Sequence, residues 1–185
     1  GLLPRVEAEM AAMAGRIPGA GFSVVAMGKL GGREMTASSD LDLVFVYDVP
    51  EGVESSDGPK SLSPTLYFAR LAQRLIAALT TATAAGTLYE VDMRLRPTGN
   101  KGPVAVSLKS FADYHASESW TWEHMALTRG RLVAGPRDLQ ARVAAEIRRR
   151  LVQTREPAAI INDARDMRTR MAETFPGRNA WDFKH

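Results

Sequence analysis

Residues 23–47, SVVAMGKLGGREMTASSDLDLVFVY, restrict the possible folds more than any other stretch of the chain. A short apolar run, Val24-Val25-Ala26-Met27, stops at Gly28. A polar loop rich in glycine and serine follows, and Asp40-Leu41-Asp42 then leads into a second apolar run, Leu43-Val44-Phe45-Val46-Tyr47. Both runs are short, rich in β-branched or aromatic residues and bounded by turn residues, which predicts two buried strands. The loop between them therefore lies at strand ends, where backbone and side chains can face a ligand.

Side chains two apart on a strand share a face, with their Cα atoms roughly 7 Å apart. Asp40 and Asp42 then project together while Leu41 and Leu43 enter the core. Two carboxylates on one face repel, and one takes up a proton unless a cation lies between them. A divalent metal meets that need, and two-metal sites run phosphoryl and nucleotidyl transfer. A solvated turn is the competing reading, because Asp-x-Asp arises by chance in roughly half of chains this long.

Composition narrows the classes. The 185 residues are 45% apolar and 24% charged, as in an ordinary globular protein of one domain or two small ones. No apolar run approaches the roughly 20 residues needed to span a bilayer, and the first residues lack a signal-peptide pattern. Cysteine is absent, so disulfides and thiolate metal sites are excluded, which suits the cytoplasm. A net charge of +3 suits an anionic small ligand and gives no support for nucleic-acid binding. His115, His124 and His185 are scattered, against a histidine zinc site.

Helix formers over residues 3–16 predict a leading helix that ends at Gly15. Residues 49–64 read as a surface loop. Ser63-Pro64 then opens a helix over 64–84, with Leu66, Ala69, Ala72, Leu75, Ile76 and Leu79 as its apolar stripe. From Ser107 the pattern is helical, over 108–116, 119–130, 136–154 and 157–174. The expected class is α+β: a strand-containing core over residues 1–107 and an all-helical part over 108–185.

Residues 87–96, TLYEVDMRLR, alternate: Tyr89, Val91, Met93 and Leu95 share one face, and Glu90, Asp92, Arg94 and Arg96 the other. This predicts a third strand, with 104–106 returning antiparallel after the turn at 97–102. A solvent-facing edge strand alternates in the same way. The alternative is an active face on which Asp92 completes a carboxylate triad and the two arginines meet phosphate oxygens. Gly28 would let backbone approach a phosphate, and Lys29 would add a point charge. Neither a P-loop nor a dinucleotide fingerprint is present. Trp120 and Trp122, at helical spacing, read as core residues. Arg129 or Arg131 reaching phosphates is the less favoured reading of that helix.

Met27-Gly28-Lys29, then ten residues, then Asp40-Leu41-Asp42-Leu43, with the later strand residue Asp92, resembles the nucleotidyltransferase superfamily of the DNA polymerase β type. Lys29 stands where that superfamily usually has Gly or Ser. More specifically, GKLGGREMTASSDLDLVFVYD, YEVDMRLRPTGNKGPVAVS and WTWEHMALTRGRLVAG resemble the glutamine-synthetase adenylyltransferase family over about residues 20–175. The resemblance implies a small mixed-sheet nucleotidyltransferase core flanked by helices. It also implies Mg²⁺-dependent transfer of AMP from ATP to a tyrosine of glutamine synthetase, a step that regulates nitrogen assimilation. On that pattern Asp40, Asp42 and Asp92 hold two Mg²⁺ ions, while Gly28, Lys29, Ser39, Arg94 and Arg96 bind the nucleotide. The family enzyme is large and two-headed, so the chain reads as a fragment, with the YEVDMRLRP and WTWEHMAL wording favouring the adenylylating half. A nitrogen-signalling regulatory protein would act through regions absent here. The adenylyl-removing half, which uses phosphate to release ADP, and another kind of nucleotidyltransferase remain the alternatives. A sugar-nucleotide glycosyltransferase fits poorly, because so little chain precedes the motif, and a docking module without catalysis is the non-enzyme reading.

Overall fold

The computed structural model describes residues 1–37, 39–81, 86, 89–153 and 156–174. The expected helix end at 82–84, the start of the third strand at 87–88 and residue 154 lie outside the described residues. Helix α1 (Leu2–Ala14) buries Leu3, Val6, Met10 and Ala14 along one stripe and stops at Gly15. Strand β1 (Gly21–Ala26) is followed by a single helical turn, α2 (Gly28–Gly31), and then by strand β2 (Leu41–Asp48). Helix α3 (Pro64–Thr80) starts with proline in its first turn, as the Ser63-Pro64 step predicts. Short strands β3 (Val91–Asp92) and β4 (Ala105–Ser107) follow. Helices α4 (Leu108–Ser117) and α5 (Thr121–Leu127), strand β5 (Arg131–Ala134), and helices α6 (Arg137–Leu151) and α7 (Pro157–Thr174) complete the order.

The sheet runs β3-β2-β1-β5, with β4 also on β2. Strands β1 and β2 are antiparallel, from the Gly21–Asp48 pair to the Ala26–Leu43 pair. Both β3 and β4 run parallel to β2, β3 against Leu41-Asp42 and β4 against Phe45–Tyr47. The expected antiparallel return of 104–106 is therefore wrong. One edge of β2 is taken by β1, and the other is long enough at about 3.3 Å per residue to seat two short strands end to end. Residues 97–102 make the step between them, with a 3₁₀ turn at Gly99–Lys101 rather than a hairpin loop.

The class is α+β, as read from the sequence. One strand departs from the helical reading after Ser107: β5 pairs antiparallel with β1. Four residues on a sheet edge are too few to show a period of two, which is why this strand leaves little trace in the sequence. Among the described residues, no helix is long and apolar enough to cross a membrane.

Both faces of the sheet are covered, so its central strands are apolar on both sides. Phe22, Val24, Leu43, Phe45 and Tyr47 pack with α1 and α3 in one core cluster. Val25, Met27, Val44 and Val46 face the other way, against Phe111, Leu127, Leu139, Val143 and Ile147 of α4, α5 and α6. Phe68 ties α3 to the sheet, stacked 4.4 Å from the Tyr47 ring and 6.0 Å from that of Phe22.

The tryptophans are not core residues. Trp120 is 69% exposed and Trp122 40%, while α5 turns Glu123, His124 and Leu127 inward. Glu123 is held there by polar bonds, accepting from the Trp120 backbone N–H at 2.8 Å and the Tyr114 hydroxyl at 2.8 Å. A buried carboxylate with two donors satisfies its own needs, and the indoles are left outside.

His115 of α4 is 2% exposed, and neither ring nitrogen has a hydrogen-bond partner. Burial, reinforced by the charges of His124 and Arg150 and opposed by Glu146, pushes its pKa from 6.5 down to about 4. The folded state thus keeps His115 neutral in a range where the unfolded chain binds a proton, so stability rises with pH across that window. Stability lost between pH 6.5 and pH 4 should amount to about 3 kcal/mol from this group. Urea unfolding of His115→Phe across the same range should show a correspondingly flatter dependence. An unchanged pH slope would remove His115 as its cause.

Candidate active site

The alternation of β2 that sends Leu41 and Leu43 to one core sends Asp42 to the opposite face, in line with Val44 and Val46. Asp42 lies at the strand start, and Asp40 precedes it by two residues, just outside the ladder and exposed. On the neighbouring strand Asp92 stands opposite Asp42 in parallel register, and Val91 beside it packs into the first core. Residues paired in this way point to the same side of a sheet. Asp42 and Asp92 therefore share one end of one face, and Asp40 lies next to that end.

Their charges act on one another. Burial raises the Asp42 pKa, and the charges of Asp92 and Asp40 raise it further against the opposing pull of Arg94 and Lys29. Asp92 is shifted the other way. Its oxygens accept from the Arg94 side chain at 2.7 Å and the Arg94 backbone N–H at 2.8 Å, and the side-chain bond is the main cause of its lowered pKa. Among the described residues, no three acidic or imidazole groups converge tightly enough to form a metal-binding cluster. In donor chemistry the set does suit a hard divalent cation, which takes carboxylate oxygens and would relieve the repulsion felt by Asp42.

Gly28 packs directly under this group. A Cβ built there would lie 2.2 Å from Asp42 Oδ2, and the residue has φ +50°. Only glycine combines that backbone conformation with that approach. The Met27 backbone N–H donates to the Asp42 carbonyl at 2.9 Å, so the turn and the carboxylate strand are also joined through their backbones. Lys29 is exposed beside it, and Arg94 is exposed apart from its bond to Asp92.

Two of the expected nucleotide-binding residues face elsewhere. Ser39 is buried; its hydroxyl accepts the Thr36 backbone N–H at 3.0 Å and shares a 2.8 Å hydrogen bond with the Thr36 hydroxyl. Arg96 is 7% exposed and donates to the Met93 carbonyl at 2.6 Å and the Gly102 carbonyl at 3.4 Å, which holds the 93–102 turn together. Strand alternation places Arg96 with Asp92 and Arg94, but the ladder ends at Asp92, so the period no longer governs its direction.

Three further residues shape the site: Glu34, which the sequence did not single out, and Arg129 and Arg131, considered there only as possible phosphate contacts. Arg129 pairs with Glu34 at 2.9 Å, and Arg131 donates to the carbonyls of Leu30 and Gly31. Both arginines thus meet the loop after β1 instead of reaching outward. The only hint was the Arg-Gly-Arg sequence closing the tryptophan helix, which says nothing of a partner a hundred residues away.

Comparison with known proteins identifies the family. The family profile described as Glutamate-ammonia ligase adenylyltransferase matches residues 3–146. A bifunctional glutamine synthetase adenylyltransferase/adenylyl-removing enzyme of Bradyrhizobium diazoefficiens is 55% identical over 95% of the chain. Enzymes of the same description from Brucella suis and Rhizobium meliloti are 50% and 48% identical, each over 98% of the chain. The chain spans 18% of the length of each of these relatives. With the family match covering well over half of its residues, the chain belongs to the glutamate-ammonia ligase adenylyltransferase family.

Proposed function

We propose that this chain is the catalytic core of the adenylylating unit of such an enzyme, moving AMP from ATP to a tyrosine of glutamine synthetase with release of pyrophosphate. The observation that carries the reading is Asp42, packed on Gly28, two residues from Asp40 and in register with Asp92. Asp40, Asp42 and Asp92 would hold Mg²⁺, two ions on the two-metal pattern, which neutralises charge on the phosphoryl oxygens when bound.

The chain's own residues then divide the remaining work. Gly28 lets the turn close on the carboxylate face, and Lys29 presents its ammonium beside that face for the triphosphate. Arg94, exposed beside Asp92, can exchange its bond to that carboxylate for a phosphate oxygen. Ser39 and Arg96 serve the site by fixing the loops that carry Asp40 and Arg94. The tyrosine hydroxyl attacks the α-phosphorus, the bond to the pyrophosphate oxygen breaks, and the hydroxyl proton passes to a basic oxygen at the site or to water.

The adenylylating direction is favoured over phosphorolysis by the YEVDMRLRP and WTWEHMAL motifs. The longer relatives leave room for the second activity and for docking of a nitrogen-signalling protein elsewhere in the polypeptide. A cytoplasmic location fits a substrate such as glutamine synthetase and a chain without cysteine.

In the full-length enzyme, Asp40→Asn or Asp92→Asn should lower AMP transfer to glutamine synthetase by on the order of a hundredfold or more. Near-normal transfer by either variant would sink the carboxylate assignment. Unmodified and AMP-modified glutamine synthetase, incubated separately with the chain, Mg²⁺ and the matching co-substrate, should yield pyrophosphate from the first. Release of ADP from the second alone would reassign the chain to the adenylyl-removing half. Gly28→Ala introduces both a strained φ and a methyl against Asp42, and should weaken Mg·ATP binding at least about tenfold by isothermal titration. Wild-type affinity would show that the close approach is dispensable.

A further inference from the structure

We infer that Arg131 is a positioning residue for the nucleotide, acting through the turn that carries Gly28 and Lys29. The inference rests on the reading above, in which that turn meets the triphosphate. Helix α2 has four residues, Gly28–Gly31. A helix that short has no stability of its own in water, since isolated helices below roughly 12 residues are marginal. Its direction must come from what grips it.

One grip is the packing on β2, where the Met27 N–H meets the Asp42 carbonyl, and a second comes from the start of β5. Arg131 pairs through its backbone with Ala26, the last residue of β1 before the turn. Its side chain then reaches over the turn: Nε donates to the Gly31 carbonyl at 3.0 Å, and a terminal nitrogen donates to the Leu30 carbonyl at 2.7 Å. One residue therefore holds the turn at its entry and at its exit. The forked guanidinium matches two successive carbonyls, and its charge sits at the negative end of the helical turn. Gly31 shows how closely the two segments fit, because a Cβ there would lie 1.9 Å from the Arg129 carbonyl oxygen and 2.7 Å from that of Ala26. The nearby Arg129–Glu34 pair is about half exposed on both sides and contributes little by comparison.

Arg131 has Nε and one terminal nitrogen committed to backbone carbonyls of the turn. Its effect must pass through Lys29 and Gly28, and that gives the test its form. In the full-length enzyme, Arg131→Gln should raise the KM for ATP about tenfold, the worth of one charge-assisted hydrogen bond, while kcat falls less than about threefold. Arg131→Lys, which keeps the charge and one donor, should recover part of that loss. Lys29→Ala combined with Arg131→Gln should cost less than the product of the single effects, because a misplaced turn leaves Lys29 little to lose.

An unchanged KM in Arg131→Gln, or strictly multiplicative effects in the double variant, overturns the inference. If Arg131→Gln does not fold, Arg131→Lys decides alone: a rise of about threefold in KM supports the positioning role, and none overturns it. If Lys29→Ala by itself leaves the ATP KM unchanged, the phosphate-binding reading of the turn fails. The Arg131 inference fails separately, when Lys29→Ala raises KM and Arg131→Gln does not.

Discussion

The Asp42 carboxylate sits where three constraints meet, and the rest of the site is arranged around satisfying them. Strand alternation points it to the helix-covered face of the sheet, but at the strand end, short of the cover supplied by α4–α6. Parallel register brings Asp92 beside it, so its charge is opposed by a like charge as well as by partial burial. Contact with Gly28 closes the space on one side of it. A carboxylate held in that way has a raised pKa and a standing affinity for a cation. Lys29 and Arg94, the two cations acting on it, stand at the same end of the sheet.

Both faces of the central strands are covered, and the two helical layers divide the roles. Helices α1 and α3 close one side with an apolar cluster that fixes β1 and β2. The other layer does more than cover the sheet. It supplies β5 and Arg131, which brace the turn after β1. It also supplies Tyr114 and Glu123, whose hydroxyl–carboxylate bond lies beside the Thr98 backbone in the turn after Arg96. The loops on both sides of the carboxylates are thus tied to residues that follow Ser107.

Much of this was legible in the chain. The two central strands, the leading helix, the long helix after Ser63 and the four later helices follow from apolar period and turn residues, because packing on one stripe or one face leaves a periodic trace. Asp40 and Asp42 were legible for the same reason, lying at the start of a long strand, whereas the alternation that singled out Asp92 persists for only two residues in the ladder. Where the period is too short, the reading fails. Strand β5 has four residues and β3 two, and past Asp92 alternation wrongly kept Arg96 on the open face. Trp120 and Trp122 were placed inside on residue type, yet buried Glu123 and His124 take the inward face of that helix.

By itself the sequence determined the helices, the two central strands and which family the motifs resemble, since these depend on patterns within a few residues along the chain. Only the tertiary structure decided that β3 and β4 line up along one edge of β2, that Asp92 falls opposite Asp42, and that Arg131 holds the turn at Gly28. Those outcomes depend on contacts between segments some fifty and a hundred residues apart. No local period encodes such contacts; they follow from how the strands share edges once both faces of the sheet are covered.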